Sequence, residues 1–418
     1  MSGAPKIKAP RGTYDVLGEQ AAARATLEAR AGSLLETAGY ERIETPAFEA
    51  TELFARGVGE STDIVRKEMF TFDDGGGRSL TLRPEGTAPV CRAYVEHGMH
   101  KRRQPVKLWY LSSFFRHERA QAGRYRQFWQ VGAEALGSDD PAVDAESIAL
   151  LAALLREMGV REVRLRLSSL GSADTRAEYR QRLQAHLRAH ESELSEDVRE
   201  RIELNPLRAF DSEHERTRRV MADAPRLLDH LSDQDAEHFA QVRELLDEAS
   251  VAYEIDSTLV RGLDYYTRTV FEFTSDALGA QSGVGGGGRY DGLVELLGGR
   301  PTPGIGWAAG VERMMLAGDG QPTAARPVDM FVALQSPGAR RVAFALLEAA
   351  RSAGLSAQME LAGRSLKGQL GHADALGARY VAIVDEGATT LKDMQDGGQE
   401  RIATDTVVHA VLRGLRTL

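Results

Sequence analysis

Three absences narrow the class of protein that this sequence can encode. It contains one cysteine, Cys91, in 418 residues, which excludes a disulfide framework within the chain and fits a reducing compartment. No apolar run approaches eighteen residues, so the sequence predicts no membrane span. The first fifteen residues contain no apolar core of a signal peptide, so we expect no secretory signal. Together these absences predict a cytoplasmic protein.

Familiar catalytic and metal-binding motifs are also missing. The sequence has no Ser/His/Asp order, no Cys/His nucleophile, no GxxxxGK[ST] loop and no zinc-spaced cysteines and histidines. His186 and His190 have the i, i+4 spacing of a metal site, but on a polar helix face we interpret them as solvated and predict no metal ligands. The net charge of −9 argues against a protein that coats DNA, while local contact with RNA stays possible.

Against this acidic background, one stretch is strongly basic. Residues 101–126 contain eight lysines and arginines and a single acid, Glu118. Alternating apolar and polar residues on both sides of a Gly-containing loop predict two antiparallel strands, within residues 109–137, with arginines at the mouth of the loop. A charge run is commonly a solvated face, but arginine forks at fixed positions suit bidentate capture of phosphates. The pattern favours a phosphate site.

A carboxylate precedes the first helix after the predicted hairpin at residues 69–82. Glu85 lies between a proline and a glycine, where a strand ends and a helix over residues 88–97 begins. This position is equally typical of a functional carboxylate and of an acid that caps a helix, and the motif alone does not choose between them.

A glycine run near residue 285 matches the spacing of a dinucleotide-binding motif. Gly283, Gly285 and Gly288 match GxGxxG, but that fingerprint must open a helix in a parallel βαβ unit. Here the glycines continue into an Arg-Tyr-Asp-Gly sequence between strand-like segments, so we reject the Rossmann interpretation. Glycines in a strand instead indicate close approach of the backbone to a ligand or a neighbouring strand.

Changes in sequence pattern predict the domain organisation of an α+β protein. Residues 173–250 are nearly continuous amphipathic helix, with twelve lysines and arginines against nineteen acids, and we interpret them as a helical insertion. Residues 328–418 show a βαβα pattern, with strands expected at 329–334, 357–361 and 380–384, typical of a compact α/β domain. The remaining predicted sections are a main domain in two parts, 1–172 and 251–320, and a linker, 321–327.

Near the N-terminus, a helix predicted over residues 19–38 precedes a strand predicted over 40–45, which Pro46 stops. These two elements could form a dimer seam or a plain core helix and edge strand, and periodicity favours the second.

The candidate site residues are four arginines and two carboxylates: Arg116, Arg124, Arg261, Arg313, Glu85 and Glu134. They predict a site for a polyphosphate and a small amine-bearing ligand.

These motifs resemble those of the histidyl-tRNA synthetases, which are class II aminoacyl-tRNA synthetases. Residues 115–130 look like motif 2 of that class, residues 304–313 look like motif 3, and residues 40–46 look like motif 1. Residues 259–266 and 287–292 are similar to the two histidine-specific signatures, and residues 364–367 and 381 onward resemble the anticodon-binding domain. The resemblance implies a class II antiparallel sheet flanked by helices, with a helical insertion and a C-terminal α/β anticodon-binding domain.

The resemblance also implies the chemistry. Histidine and ATP, with Mg²⁺, would give histidyl-adenylate and pyrophosphate, and histidine would then pass to the terminal ribose of tRNA-His. Positioned cations serve this reaction, because carboxylate attack on phosphorus brings two anions together. Homodimerisation is likewise implied by the family, and neither a prosthetic group nor binding to DNA or membranes is expected.

Roles in ATP binding follow from the same resemblance. Arg116 would contact the α-phosphate, Arg124 and Arg313 would contact the β- and γ-phosphates, and adenine would stack between Phe128 and Arg313. Glu118 belongs to the same predicted ATP-binding set.

The histidine-binding roles are implied in the same way. Arg261 would contact the α-phosphate together with the substrate carboxylate. The α-ammonium would be received by Glu85, Thr87 and Gln130. Glu134 and Tyr266 would hydrogen-bond the imidazole, with Tyr265 beside them. The expected catalytic residues are Arg116, Arg261 and Glu85.

Departures from the family pattern are small. Ala120 stands where proline is common, which predicts a more flexible motif 2 loop, and Trp129 stands where histidine is frequent. The main rival interpretation is a synthetase-like, histidine-sensing regulatory subunit of ATP phosphoribosyltransferase, but such paralogues generally lack the anticodon-binding domain and part of the arginine set. An RNA-binding protein with an inactive site is disfavoured by the same intact residues.

Overall fold

The computed structural model describes residues 6–59, 62–118, 123–259, 261–279, 282–318 and 327–416. The chain divides into two compact units, Met1–Pro322 and Thr323–Leu418. The expectations for Ala120 and for most of the linker at 321–327 lie outside the described residues. Within the described residues, no helix is both long and apolar enough to cross a membrane.

The first unit combines strands with helices, and four of the helices follow one another between β7 and β8. Its helices are α1 Gly18–Thr37, α2 Thr51–Val58, α3 Thr87–Glu96, α4 Pro141–Glu157, α5 Ala173–Ala189, α6 Glu196–Arg201, α7 Glu215–Ala222, α8 Asp233–Glu248, α9 Leu293–Leu296 and α10 Val311–Ala317. Its strands are β1 Glu41–Arg42, β2 Phe48–Ala50, β3 Phe70–Asp73, β4 Ser79–Leu82, β5 Val106–Phe115, β6 Gln127–Leu136, β7 Val163–Ser169, β8 Glu254–Ile255, β9 Thr267–Ser275, β10 Gly283–Arg289 and β11 Gly304–Gly310.

An eight-stranded sheet organises this unit, with strand order β1-β5-β6-β11-β10-β9-β7-β8. Neighbouring strands are antiparallel except at the two edges, where the short strands β1 and β8 run parallel to β5 and β7. This architecture confirms the predicted class II fold of helices around an antiparallel sheet. The glycine-rich β10 lies in the interior of the sheet, between two antiparallel neighbours, which agrees with rejecting the Rossmann interpretation.

The period of two in the central hairpin divides its side chains between two cores. Trp109, Leu111 and Val131 pack on the face that is covered by α1, α4 and α8. Leu108 and Tyr110, one position out of phase, pack on the opposite face with residues of α3 and α9. The second face carries the cavity described below.

Residues 173–250 are helical, but they do not all pack together. Leu183 and Leu187 of α5 lie in a hydrophobic cluster with residues of α6 and α7. Val242 and Leu246 of α8 instead lie in the core beneath the main sheet. His186 Nε2 lies 2.9 Å from the Val220 carbonyl oxygen, so this histidine is bonded to backbone rather than simply solvated.

The second unit contains a five-stranded sheet with order β13-β12-β14-β15-β16. Its elements are β12 Met330–Leu334, α11 Arg340–Ser352, β13 Ala357–Met359, α12 Leu366–Ala375, β14 Tyr380–Val384, β15 Thr389–Asp393, β16 Gln399–Ile402 and α13 Val407–Arg416. Strands β13 and β14 flank β12 in parallel, as the βαβα pattern predicts.

Two strand predictions need correction. The antiparallel hairpin of β15 and β16 was not predicted, because β16 is an exposed edge strand and lacks the alternation that marks a half-buried strand. The strand expected over residues 40–45 is only two residues long, Glu41–Arg42. Ile43 still donates its backbone N–H to the Trp109 carbonyl, so the segment follows β5 beyond the short strand.

Candidate active site

An open cleft of about 350 Å³ lies over β6, β10 and β11. Of the twelve predicted site residues, the following eleven line it: Glu85, Thr87, Arg116, Glu118, Arg124, Phe128, Gln130, Arg261, Tyr265, Tyr266 and Arg313. The twelfth, Glu134, is fully buried beneath the cleft. The fold therefore brings together, in one place, residues that lie more than 220 positions apart in the sequence.

Glycines in β10 and β11 leave space at the floor of the cleft for charged side chains, because they have no Cβ atom. A Cβ at Gly286 would lie 3.2 Å from Cζ of Arg261 and against the Phe271 carbonyl oxygen. A Cβ at Gly306 would overlap the Glu134 carboxylate, which the strand register places directly opposite. These strands thus approach charged groups closely, as the glycine content predicted.

The two arginines of the central hairpin lie on either side of one carboxylate. Arg116 Nη1 lies 3.9 Å from Glu118 Oε1, and Arg124 Nη1 lies 3.5 Å from Glu118 Oε2. Arg116 also donates from Nε to the Pro84 carbonyl at 2.9 Å, and its guanidinium lies 5.3 Å from the centroid of the Phe128 ring. Because the Arg116 backbone contact fixes its orientation, its Nη groups are presented to the cleft.

Arg313 contributes a further cation from the first turns of α10. Its guanidinium lines the cleft, and partial burial lowers its pKa, with Arg124 as the next cause. Two nearby cations repel each other unless an anion lies between them. This end of the cleft is therefore suited to a polyanion.

Arg261 lies deeper, in a chain of alternating charges. Its Nη1 donates to Glu272 Oε1 at 2.7 Å, and Glu272 Oε2 accepts from Arg166 at 3.2 Å. Arg166 in turn donates from Nε to Asp256 at 2.7 Å. Nε of Arg261 is buried and has no hydrogen-bond partner within the described part of the chain.

Sequence reasoning missed Glu272, although a signal for it exists. It is the only charged residue within the apolar run Val270–Phe273 of β9, where the neighbouring side chains are buried. A carboxylate in such a run needs a cation, and the fold supplies two: Arg166 from the neighbouring strand β7 and Arg261 from the segment before β9.

Glu85 combines the two roles that the sequence left open. Its carboxylate accepts from the backbone N–H groups of Thr87 at 2.8 Å and of Ala88 at 2.9 Å, which caps α3. It also lines the cleft, where the Tyr265 hydroxyl lies 3.4 Å away. Burial raises the pKa of this carboxyl, although the two backbone hydrogen bonds oppose the shift.

Glu134 is surrounded by three hydroxyl groups. Its Oε1 accepts from Thr87 at 2.8 Å and from Tyr110 at 3.3 Å, and its Oε2 accepts from Tyr290 at 2.6 Å. Burial raises the pKa of Glu134 to about 8, although these hydrogen bonds oppose the shift. The structure therefore places this residue behind the wall of the cleft.

Other polar groups complete the floor. Oε1 of Gln130 is buried and, among the described residues, has no hydrogen-bond partner, so it is available to a donor in the cleft. Tyr265 and Tyr266 have ring centroids 4.8 Å apart, and both line the cleft.

The second signature, at residues 287–292, has a structural role in addition to its contribution to the site. Arg289 is fully buried and pairs with Asp144 of α4, which is also fully buried. Nη1 of Arg289 donates to Asp291 Oδ1 at 3.1 Å, and Tyr290 reaches Glu134. Of the signature residues Arg289, Tyr290 and Asp291, it is thus Tyr290 that hydrogen-bonds to a predicted site residue, Glu134.

Odd positions of β6 face away from the cleft. The Trp129 ring stacks with Arg24, whose Cζ lies 3.6 Å from the ring centroid, and its backbone N–H donates to Glu312 at 3.0 Å. Arg126, which had no assigned role, packs its side chain against Gly12. The departure at Trp129 therefore lies on the far side of the strand from the cleft.

The completed site has cations at its mouth and carboxylates and hydroxyls at its inner end. Arginines suit phosphate oxygens, and buried carboxylates suit an ammonium or an N–H group. Among the described residues, no cluster of three histidines, cysteines or acids could hold a metal ion by itself. The arrangement can align a triphosphate with a small ligand that carries both an amine and a carboxylate.

Known proteins match the chain over nearly its whole length. A family model described as histidyl-tRNA synthetase matches residues 12–314. Histidine–tRNA ligase of Rubrobacter xylanophilus is 50% identical over 409 residues, covering 94% of this chain and 96% of its own. Histidine–tRNA ligase of Halorhodospira halophila is 49% identical over 419 residues and covers 98% of both chains. The structure of apo Staphylococcus aureus histidyl-tRNA synthetase matches with a TM-score of 0.82 at 36% identity, covering 97% of this chain and 100% of that one.

Proposed function

The chain belongs to the histidyl-tRNA synthetase family, and we propose that it is the ligase that joins L-histidine to tRNA-His at the expense of ATP. In the first step, the histidine carboxylate attacks the α-phosphorus of ATP, forming histidyl-adenylate and releasing pyrophosphate. In the second, a hydroxyl of the terminal ribose of tRNA attacks the acyl carbon, and AMP leaves. The observation that carries the proposal is that a single cleft holds Arg116, Arg261 and Arg313 together with the buried carboxylate of Glu85.

In this proposal the arginines bind ATP. Arg116 and Arg261 contact the α-phosphate, while Arg124 and Arg313 contact the β- and γ-phosphates. Charge that spreads over phosphate oxygens in the transition state is stabilised by cations that are already in position. Glu118, whose carboxylate lies between Arg116 and Arg124, reduces the mutual repulsion of these guanidinium groups before ATP binds.

The inner end of the cleft binds histidine. Glu85, Thr87 and Gln130 receive the α-ammonium, and the unpartnered Gln130 Oε1 supports this assignment. Tyr266, with Tyr265 beside it, contacts the imidazole. Glu134 contacts the imidazole as well: its carboxylate accepts from three hydroxyl groups, and a carboxylate has about four acceptor positions, so one remains on Oε2 for an imidazole N–H.

ATP is used with Mg²⁺ in this proposal. Mg²⁺ bound to phosphates usually takes one or two protein carboxylates. Among the acids that line the cleft, Glu85 and Glu312 accept from backbone N–H groups, whereas Glu118 and Glu272 contact arginine side chains and remain partly exposed. Glu118 and Glu272 therefore fit the donor chemistry. A bound Mg²⁺ would supply additional positive charge to the phosphates.

The remaining parts of the proposal concern partners. The second unit, Thr323–Leu418, binds the anticodon region of tRNA-His, and the enzyme acts as a homodimer in the cytoplasm. These assignments are supported by membership of the family. The regulatory-subunit alternative is not favoured, because relatives at 50% and 49% identity over nearly the full length are ligases.

Amino-acid-dependent exchange of pyrophosphate into ATP tests the proposed reaction. The purified chain should support exchange with L-histidine and with none of the other nineteen amino acids. Histidinol, which lacks the carboxylate, is a matched control that should not support exchange. No exchange with histidine would refute the proposed function.

A further inference from the structure

The segment that carries Arg261, Tyr265 and Tyr266 contacts the helical insertion as well as the sheet. This 261–266 segment has no helix or strand of its own. Its conformation therefore depends on the groups that bind its backbone carbonyls and cover its side chains.

Three insertion side chains donate hydrogen bonds to this segment. Arg176 of α5 donates to the carbonyl oxygen of Tyr266 and, at 3.2 Å, to that of Asp264. Asn205 donates from Nδ2 to Asp264 Oδ1 at 2.8 Å. Arg208 donates to the Gly262 carbonyl at 3.3 Å. Every second residue of the segment is thus bonded to the insertion.

Apolar packing joins the same two parts. The Tyr266 ring is buried in the hydrophobic cluster that contains Tyr179, Leu183 and Leu187 of α5, with Leu263 and Tyr265 packed against it. A side chain that is part of the insertion core cannot shift unless that core shifts with it.

The Arg176 side chain is largely removed from water. Burial lowers the pKa of this guanidinium, and the nearby Asp264 carboxylate opposes the shift. A lysine at this position could not replace the two-pronged donation of the guanidinium to two carbonyls.

We propose that Arg176, Asn205 and Arg208 are positioning residues for histidine binding, which makes the helical insertion a structural part of the amino-acid site. This inference rests on the proposed function. The insertion fixes the 261–266 segment, and the segment presents Arg261 and Tyr266 to the substrate. Movement of the insertion therefore changes the affinity for histidine more than the affinity for ATP, because three of the four proposed phosphate contacts lie outside the 261–266 segment.

Arg176→Lys tests the proposal, with Arg180→Lys as its matched control. Arg180 lies one turn further along α5 and also donates to two carbonyls, those of Glu203 and Leu204, but both acceptors lie inside the insertion. Arg176→Lys should raise the histidine KM in pyrophosphate exchange about ten- to hundredfold, the range expected for loss of a charged hydrogen bond. The ATP KM should rise by a clearly smaller factor, because Arg261 is one of four proposed phosphate contacts, and Arg180→Lys should leave both constants near their wild-type values.

A charge exchange supplies a second test. Asn205→Asp places a carboxylate against Asp264 and should raise the histidine KM. The double variant Asn205→Asp with Asp264→Asn restores one donor and one acceptor and should recover most of the loss. If Asn205→Asp acted only by weakening the fold, the double variant would not restore the histidine KM alone.

Calorimetric titration with L-histidine and hydrogen–deuterium exchange complete the experiment. Amides of residues 261–266 should exchange faster in Arg176→Lys than in Arg180→Lys, and histidine Kd should rise in parallel. Unchanged histidine Kd and KM in an active Arg176→Lys protein would overturn this proposal alone. A wild-type chain that neither binds histidine nor catalyses exchange would overturn this proposal together with the proposed function.

Discussion

The Tyr290 hydroxyl donates a 2.6 Å hydrogen bond to the Glu134 carboxylate, and both side chains are buried beneath the cleft. The two residues lie 156 positions apart in the sequence. Their contact joins the second histidine signature to the central hairpin. A buried carboxylate in such a position affects both the stability of the fold and the chemistry of the site.

Glu134 should make stability depend on pH. Because burial raises its pKa to about 8, the folded protein retains a proton that the unfolded chain releases near its ordinary value of about 4.3. The stabilisation is complete below that lower value and is lost as the pH rises through about 8. In Glu134→Gln, the free energy of unfolding should fall less between about pH 5 and 8 than in the wild type, as measured by urea unfolding. Equal slopes for both proteins would contradict the assignment.

Gly306→Ala should destabilise the protein and disrupt the site. A Cβ at this position overlaps the Glu134 carboxylate and the Ala133 carbonyl, both of which are held in the sheet. We expect a loss of about 1–3 kcal/mol or more in the free energy of unfolding, together with weaker histidine binding. Gly292→Ala is the control, because a Cβ there meets no atom within 4 Å. Similar melting temperatures for the two variants would contradict this explanation.

Arg261→His should abolish most adenylate formation while the fold survives. The substitution removes the guanidinium that is proposed to contact the α-phosphate and the substrate carboxylate, and we expect exchange to fall about 100- to 1000-fold. Arg164→His is the control: Arg164 is exposed and pairs with Asp276 at 2.6 Å, outside the cleft. Circular dichroism and thermal unfolding confirm folding of both variants. Near-normal exchange in Arg261→His would refute its catalytic role.

Asp144→Asn should cost far more stability than Asp276→Asn. Asp144 and Arg289 are both fully buried, so the neutral amide leaves the arginine with only the partly exposed Asp291 as a counter-charge, at a cost of up to about 3–5 kcal/mol. The Asp276–Arg164 pair is about half exposed, and its loss should cost at most about 1 kcal/mol. Thermal or denaturant unfolding measures both values. Comparable losses of stability would show that burial does not determine how much each ion pair contributes.

Patterns within short stretches of sequence predicted the elements of the fold. The alternation in residues 109–137 predicted the central hairpin, and the helical periodicity over residues 19–38 predicted α1, because both signals reflect neighbours on one face of one element. The same patterns failed for β16, which has no buried face and therefore no alternation.

Residue types, together with the resemblance to a known family, predicted most of the candidate site, but not its internal partners. Eleven of the twelve residues assigned by motif line one cleft. The pairing of Arg261 with Glu272 did not follow from the motifs, because Glu272 lies in an otherwise apolar strand and Arg261 reaches it from a segment outside the sheet. The depth of Glu134 likewise depends on Gly306 of a neighbouring strand.

The sequence by itself thus determined the antiparallel sheet, the set of arginines that we propose to bind phosphate, and the likeness to the family, because these are properties of spacing and residue type along the chain. Tertiary structure alone decided that Glu85 both caps α3 and faces the cleft, that Glu134 lies behind it, and that Arg176 bonds to the 261–266 segment. Burial and hydrogen bonding between distant segments exist only after the chain has folded. They fix the pKa of a carboxyl and the position of a loop, which local patterns do not encode.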